Sequence, residues 1–303
     1  MSKAAQKAIG GQAVMEGVMV KCGRTTAMAV RRKDGSITTE LREDTSIAQR
    51  FPFLKWPILR GCVNLIEQLR IGYVMLMKSA NYMEEDELAE AGEEKPSKAA
   101  TAATGGIALF FALVLMIGLF FLLPTLIAGW VAPGTGSGMV AMESVARLLI
   151  FIGYLVLVGL MPDMKRIFMY HGAEHKALYC YQNGEAATAE NAQKYSRLHP
   201  RCGTTYLFLV MIVSILVFSL LGVQGSPVVR VLVRIALLPL VAGIAYELLR
   251  FFAKYDNLLA RIIRAPGLAL QYLTTREPTP DMLEVATVAI RTADEAENAH
   301  EGQ

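Results

Sequence analysis

The sequence predicts an α-helical integral membrane protein with about four transmembrane helices, a small N-terminal β-containing cytosolic subdomain and C-terminal cytosolic helices. Hydrophobic residues make up 53% of the chain and charged residues only 19%, and the mean hydropathy is +0.37. This balance lies on the membrane side of ordinary soluble domains. Four apolar segments are each long enough to cross a hydrocarbon core about 30 Å thick. We therefore expect the lipid bilayer to be the main partner.

Residues 1–55 are predicted to form the β-containing subdomain. Two segments of strand character flank Lys33-Asp34-Gly35-Ser36, where Gly35 can adopt the positive φ of a tight hairpin turn. Earlier in the subdomain, the glycine-rich residues 10–19 surround one acid, Glu16. Because glycines permit close backbone approach, this segment is either a plain turn or a loop that presents Glu16 to a functional site.

Two segments of different character connect this subdomain to the membrane domain. Residues 56–83 follow a helical pattern whose charges are spaced too closely for an easy bilayer crossing. They are predicted to form an amphipathic helix at the membrane interface. Residues 84–100 are rich in acids and contain Ala, Gly, Lys and Pro. Such a composition cannot bury much surface, so we expect a solvated acidic linker.

The predicted membrane domain covers residues 101–252. Its four apolar segments are 107–131, 144–162, 206–223 and 228–249. The loop 163–205 between the second and third segments is expected to be cytosolic. Residues 253–303 follow as C-terminal cytosolic helices.

The distribution of lysine and arginine predicts the orientation. Residues 1–98 contain fifteen of them and residues 163–205 contain six, whereas 132–143 and 223–229 contain none. By the positive-inside rule, both termini and the long loop are cytoplasmic in a multi-pass protein of the cytoplasmic membrane. The net charge of +3 gives no indication of nucleic-acid binding. The sequence does not decide whether the protein binds a protein partner or forms an oligomer.

A cluster of metal-binding residue types lies in the cytosolic loop. If the surrounding segment is helical, His171, Glu174 and His175 share one face, since they are three and four residues apart. Two imidazoles one turn apart suit zinc or another divalent transition metal, and Glu174 can serve as a general base. The order H-x-x-E-H is that of the inverzincin metallopeptidases.

The third metal ligand has several candidates. Glu247 follows His175 by 72 residues, close to the interval at which inverzincin-like sites take a distant glutamate, although a salt bridge with Arg250 or Lys254 would also explain it. Alternatively, the proline after His199 favours a turn that aims His199 and Cys202 at the first pair. Glu16 is predicted to approach one of the histidines as a further acidic group. A polar network without metal would also fit.

Several of these stretches resemble the YqhQ-like bacterial membrane proteins. The resemblance covers nearly the whole chain and rests on residues 10–19, 171–176, 199–204, 265–268 and 273–278. That family is a domain of unknown function that carries the label of a metal-dependent enzyme. The resemblance thus implies a metal site in a bacterial inner-membrane protein and brings no established substrate.

Two functions follow as hypotheses. The first is a zinc-dependent hydrolase at the cytosolic membrane surface, with an unknown substrate. The second is a non-catalytic membrane scaffold or assembly factor in which a structural metal or a polar cluster pins the cytosolic part to the spans. Transport is a third possibility, but no inverted repeat or paired broken helices support it.

Overall fold

A computed structural model of the protein describes residues 9–92, 98–132, 137–221, 226–255 and 257–301. Its N-terminal part is a four-stranded antiparallel sheet in the order β1-β2-β3-β4. The strands are β1 (Ile9–Val14), β2 (Gly17–Cys22), β3 (Thr25–Arg31) and β4 (Ile37–Glu43). The predicted hairpin turn is confirmed, because Arg31 pairs with Ile37 across it and Gly35 has a φ of 87°.

The glycine-rich residues 10–19 form the β1–β2 hairpin, so of the two alternatives it is the plain turn that is observed. Val14 pairs with Gly17, which leaves Met15 and Glu16 as a two-residue turn with Glu16 at a φ of 49°. The apolar residues on either side of the turn suit a pleated, buried strand. Gly11 and Gly17 allow close packing, because an added Cβ would lie 2.7 Å from Glu174 Oε1 at Gly11 and 2.2 Å from the Ala29 carbonyl oxygen at Gly17.

The helices follow the sheet. In chain order they are α1 (Ile47–Arg50), α2 (Leu59–Ala91), α3 (Lys98–Ile117), α4 (Leu123–Val131), α5 (Ser137–Leu160), α6 (Pro162–Gln182), α7 (Ala189–Gln193), α8 (Gly203–Leu221), α9 (Pro227–Lys254), α10 (Leu258–Thr274) and α11 (Pro280–Glu301). A 3₁₀ turn covers Pro52–Lys55, and a π-helical turn, Gly118–Leu122, joins α3 to α4.

The sheet is buried on both faces. Val18 and Val20 of β2 belong to a core that also contains α6 and α11 residues. Met19, which lies between them, belongs to the opposite core together with Ile71 and Met75 of α2. This alternation is the period of two expected of a strand. The sheet-containing part is therefore a three-layer arrangement with the sheet between α2 and the α6–α11 pair.

The acidic residues 84–91 belong to helix α2, which contradicts the prediction of a solvated linker. Their carboxylates pair with the basic β3–β4 turn: Arg32 Nη2 lies 2.6 Å from Asp86 Oδ1, and Lys33 Nζ lies 2.7 Å from Glu90 Oε2. Glu, Leu and Ala are good helix formers, and pairing with the turn relieves the like-charge repulsion. Residues 93–97 of the expected linker lie outside the described residues.

Among the described residues, four stretches of helix are long and apolar enough to cross a membrane. They are Ala103–Val131, Gly138–Leu160, Gly203–Leu221 and Pro227–Phe252, and they correspond to the four predicted spans. The first contains the π-helical turn immediately before Pro124. Since proline cannot donate to the carbonyl four residues earlier, the carbonyl of Phe120 is released, and Arg147 Nε donates to it at 3.2 Å.

The candidate spans meet the other helices at one junction. Helix α6 begins two residues after α5 ends, and Cys202 immediately precedes α8. Helix α10 packs against α5, α8 and α9. Consequently the histidine-bearing helix, the start of the third span and the end of α10 come together at one place.

Candidate metal centre

Helix α6 carries the His-x-x-Glu-His face, and its small residues let another segment lie close to it. A Cβ at Gly172 would collide with the carbonyl oxygen of Arg276, and the Arg276 N–H donates to the Phe168 carbonyl at 2.8 Å. The chain that follows α10 therefore runs directly against α6. This approach brings the backbone of Thr274 to His171.

His171 is oriented by that backbone. Its Nδ1 lies 2.8 Å from the carbonyl oxygen of Thr274. Because a carbonyl oxygen only accepts, Nδ1 carries the proton and Nε2 carries the lone pair. Nε2 lies 3.2 Å from Cys202 Sγ.

His175 is oriented in the same way by a different segment. Its Nδ1 lies 2.5 Å from the carbonyl oxygen of Arg197, so its Nε2 also carries the lone pair. The ring centroids of His171 and His175 are 4.4 Å apart. A backbone carbonyl on the far nitrogen of each imidazole is the usual arrangement that orients metal-ligating histidines.

Cys202 completes a group of three. Its side chain is buried, and the Thr204 N–H at the start of α8 lies 3.4 Å from Sγ. One ligand atom from each of His171, His175 and Cys202 lies within 4.8 Å of the other two. Two imidazoles and one thiolate suit zinc, and three protein ligands leave a fourth tetrahedral position open, as in catalytic zinc sites.

His199 lies beside this group and not within it. The Arg201 N–H donates to Nδ1 at 3.3 Å, so the proton on Nε2 points to Gln182 Oε1 at 3.2 Å. Both ring nitrogens are thus engaged. Burial, together with the nearby His175 and Arg201, lowers the pKa of His199 to about 3.

Gln271 holds the loop that carries His199. It is fully buried, it accepts the His199 N–H at 2.8 Å, and its Nε2 donates to the His199 carbonyl at 2.8 Å. It also donates to the Thr205 hydroxyl at 3.1 Å. The sequence analysis missed this residue, because a glutamine in an amphipathic helix has no spacing signal that marks it as buried.

Glu174 lies between His175 and strand β1 of the sheet. Its Oε2 lies 3.5 Å from His175 Nε2. A Cβ at Gly11 of β1 would lie 2.7 Å from Glu174 Oε1, so only glycine lets the carboxylate sit there. Burial raises the pKa of Glu174 to about 7, although the charge of His171 and the Gly11 N–H act in the opposite direction.

Glu16 contacts other partners than those predicted. Its carboxylate forms a two-pronged ion pair with Arg166 Nε and Nη2, and the Tyr170 hydroxyl donates to it at 3.2 Å. Both partners lie on α6 before His171. The N-terminal sheet therefore contacts the surroundings of the candidate metal site through Gly11, which lies against Glu174, and not through Glu16.

Glu247 is engaged elsewhere as well. Its carboxylate accepts from Arg60 Nε of α2 at 2.6 Å and also from Arg60 Nη2. The predicted alternative, a salt bridge, is correct in kind, but the partner comes from α2 and not from Arg250 or Lys254. The pair ties α2 to α9, and the group of three includes no Glu247 atom.

Most of the chain matches one protein family. Residues 56–296 match the family described as "Protein of unknown function (DUF1385)". The chain belongs to this family. The uncharacterized protein YqhQ of Bacillus subtilis (strain 168) is 35% identical over 297 residues, which cover 92% of this chain and 90% of that protein. The resemblance to YqhQ-like proteins is thereby confirmed, and no solved structure matches.

Proposed function

We propose that the protein is a zinc-dependent hydrolase whose site lies at the cytosolic surface of the bacterial inner membrane. The observation that carries the proposal is the convergence of one ligand atom each from His171, His175 and Cys202 within 4.8 Å of one another. Each imidazole has its other nitrogen on a backbone carbonyl. When bound there, zinc would supply Lewis acidity and lower the pKa of a bound water to about 7.

Glu174 is the proposed general base. Its buried carboxylate lies 3.5 Å from His175 Nε2, beside the position where zinc would hold a water, and a carboxylate in such a place can act as the base. Because Glu174 accepts from the Gly11 N–H, strand β1 fixes where the base lies. Both ring nitrogens of His199 form hydrogen bonds to protein groups. His199 is therefore not free to bind the metal, which supports an open fourth ligand position.

The membrane location follows from three features taken together. The site lies at the junction between two candidate spans and the sheet-containing part. The arginine and lysine distribution supports a cytosolic location for this part. Helix α2 exposes large apolar side chains, among them Ile66 and Leu69, which fit an interfacial helix against lipid.

Metal content tests the proposal. The full chain, purified in detergent without chelator, is expected to carry about one zinc per chain by elemental analysis, and His171→Ala or Cys202→Ala should lose it. His300→Ala is the matched control, since His300 lies in α11 and pairs with Glu43. Absence of stoichiometric metal in the unmutated chain would defeat the proposal.

A second measurement separates hydrolase from scaffold. Glu174→Gln should retain zinc while losing metal-dependent hydrolysis of p-nitrophenyl acetate, used as a simple ester probe. If the unmutated protein binds zinc, lacks turnover of this and other ester, amide and phosphate probes, and unfolds when zinc is chelated, the metal is structural. The scaffold function would then replace the hydrolase.

A further inference from the structure

A second group of buried polar side chains lies inside the bundle of candidate spans, away from the metal centre. Glu143 and Arg147 come from α5, and Arg230 and Arg234 come from α9. All four are more than nine-tenths buried, at 2%, 7%, 8% and 5% exposure respectively. We call them the arginine cluster.

Glu143 is saturated by two of the arginines. Its Oε1 accepts from Arg147 Nη2 at 2.9 Å, and its Oε2 accepts from Arg234 Nη2 at 2.6 Å. Arg234 Nη1 also donates to Oε1, and the Thr125 hydroxyl donates to it at 2.8 Å. One carboxylate therefore serves two guanidiniums.

The remaining contacts of these two arginines bring no negative charge. Arg147 donates to the Phe120 carbonyl that Pro124 releases. Both Arg147 and Arg234 lie over the Phe218 ring, at 5.6 and 5.4 Å from its centroid. Carbonyl dipoles and ring faces disperse positive charge but do not neutralise it.

The hydrogen-bond acceptor of Arg230 is weaker than those of the other two arginines. Its Nη1 lies 3.1 Å from the thioether sulfur of Met139, which is a weak acceptor. Within the described part of the chain, Nε of Arg230 and Nε of Arg234 are buried and have no hydrogen-bond partner. Buried guanidinium donors are normally satisfied, so these two call for an acceptor.

The sequence shows that the chain cannot supply the missing charge nearby. Glu143 and Glu247 are the only acidic residues in the four candidate spans, and residues 132–137 and 222–226 contain none. Glu247 pairs with Arg60 and lies about 25 Å along α9 from Arg230 at 1.5 Å per residue. The cluster thus holds three positive charges against one negative charge.

Helix ends add to this positive potential. Helices α5 and α9 both begin at the end of the bundle where the cluster lies, at Ser137 and Pro227. The first turns of helices carry partial positive charge and favour anions.

We propose that the arginine cluster binds a phosphoryl-bearing anion. Guanidinium forks match the oxygens of a phosphoryl group, and this group can bring the charge that neutralises two arginines. By the positive-inside orientation, this end of the bundle faces the extracytoplasmic leaflet. The phosphoryl group belongs either to an anionic phospholipid headgroup or to a free phosphate. The site is separate from the metal centre and does not rest on hydrolysis.

Thermal unfolding of the full chain in neutral detergent tests the site. Dioleoyl phosphatidylglycerol is compared with dioleoyl phosphatidylcholine in mixed micelles, and sodium phosphate is compared with sodium chloride at equal ionic strength. A rise in Tm with phosphatidylglycerol alone identifies a lipid headgroup, whereas a rise with phosphate identifies a dissolved anion. If neither raises Tm above its comparison, the proposal is overturned.

Arg230→Gln localises the effect. This change should weaken binding by about tenfold or more, as expected from loss of one charged partner. Arg250→Gln is the matched control on the same helix, since Arg250 is exposed near the opposite end, and it should keep the full shift. An unchanged shift in Arg230→Gln would place the anion elsewhere.

Native mass spectrometry of the unmutated chain gives a readout that does not depend on how the variant folds. A retained phospholipid or phosphate adduct supports the site, and its absence at saturating ligand contradicts it.

Discussion

The candidate metal centre and the arginine cluster are both buried and polar, but their hydrogen bonds are arranged in opposite ways. In the metal centre, the N–H of each ligand imidazole is used by a backbone carbonyl, so lone pairs converge. In the arginine cluster, one carboxylate, one backbone carbonyl, one hydroxyl and one thioether face three guanidiniums, so donors are left over. The first arrangement suits a cation and the second suits an anion.

The two regions also differ in what surrounds them. The metal centre lies where α6, α10 and the start of α8 meet, so segments distant in sequence position its ligands. The arginine cluster lies among candidate spans and is assembled by α5 and α9 with help from a released carbonyl. Substitutions can test whether these differences have the expected energetic consequences.

The largest effect is expected from Glu143→Ala. Removing the one acid leaves three buried arginines without a counter-charge, which should destabilise the fold by about 3–5 kcal/mol. Chemical or thermal unfolding in detergent measures this. Glu247→Ala is the comparison. Glu247 pairs with Arg60, and each of these side chains is about a quarter exposed, so loss of the pair should reduce the free energy of unfolding by only about 1 kcal/mol. Equal effects of the two variants would mean that the cluster is hydrated rather than buried.

A smaller effect is expected at the metal centre from Gly11→Ala. The new Cβ would lie 2.7 Å from Glu174 Oε1 and 2.9 Å from the Met19 carbonyl oxygen, so either the strand or the base must move, at about 1–3 kcal/mol. Zinc content should persist because no proposed ligand is touched, while hydrolysis should fall. Gly10→Ala is the control, since nothing lies within 4 Å of its added Cβ. If the two alanine variants behave alike, β1 does not position Glu174.

The smallest effect is expected from Glu16→Gln. Arg166, the main partner of Glu16, is more than half exposed, and such ion pairs contribute about 0–1 kcal/mol. The zinc content, measured by elemental analysis, and the Tm, measured by thermal unfolding, should therefore both stay close to the values of the unmutated protein. Loss of zinc in this variant would show that the β1–β2 turn supports the metal centre after all.

Helical periodicity was enough to predict the shared face of His171, Glu174 and His175, because i, i+3 and i+4 spacing is a local property. The length of the apolar segments was enough to locate the four candidate spans. Residues 84–91 were not predicted as helical, since their helix is stabilised by basic residues of a distant turn. Local composition alone favoured a solvated linker there.

The sequence by itself determined the β3–β4 hairpin, the apolar spans and the residue types available for a metal. Only the tertiary structure decided which candidates meet. It brought Cys202 to His171, paired Glu247 with Arg60, and turned Glu16 towards Arg166. Partners so far apart in the chain are selected by how helices pack and by which carbonyls and carboxylates that packing leaves available. No spacing rule encodes this, because ion pairs and hydrogen bonds depend on three-dimensional distance rather than on separation along the chain.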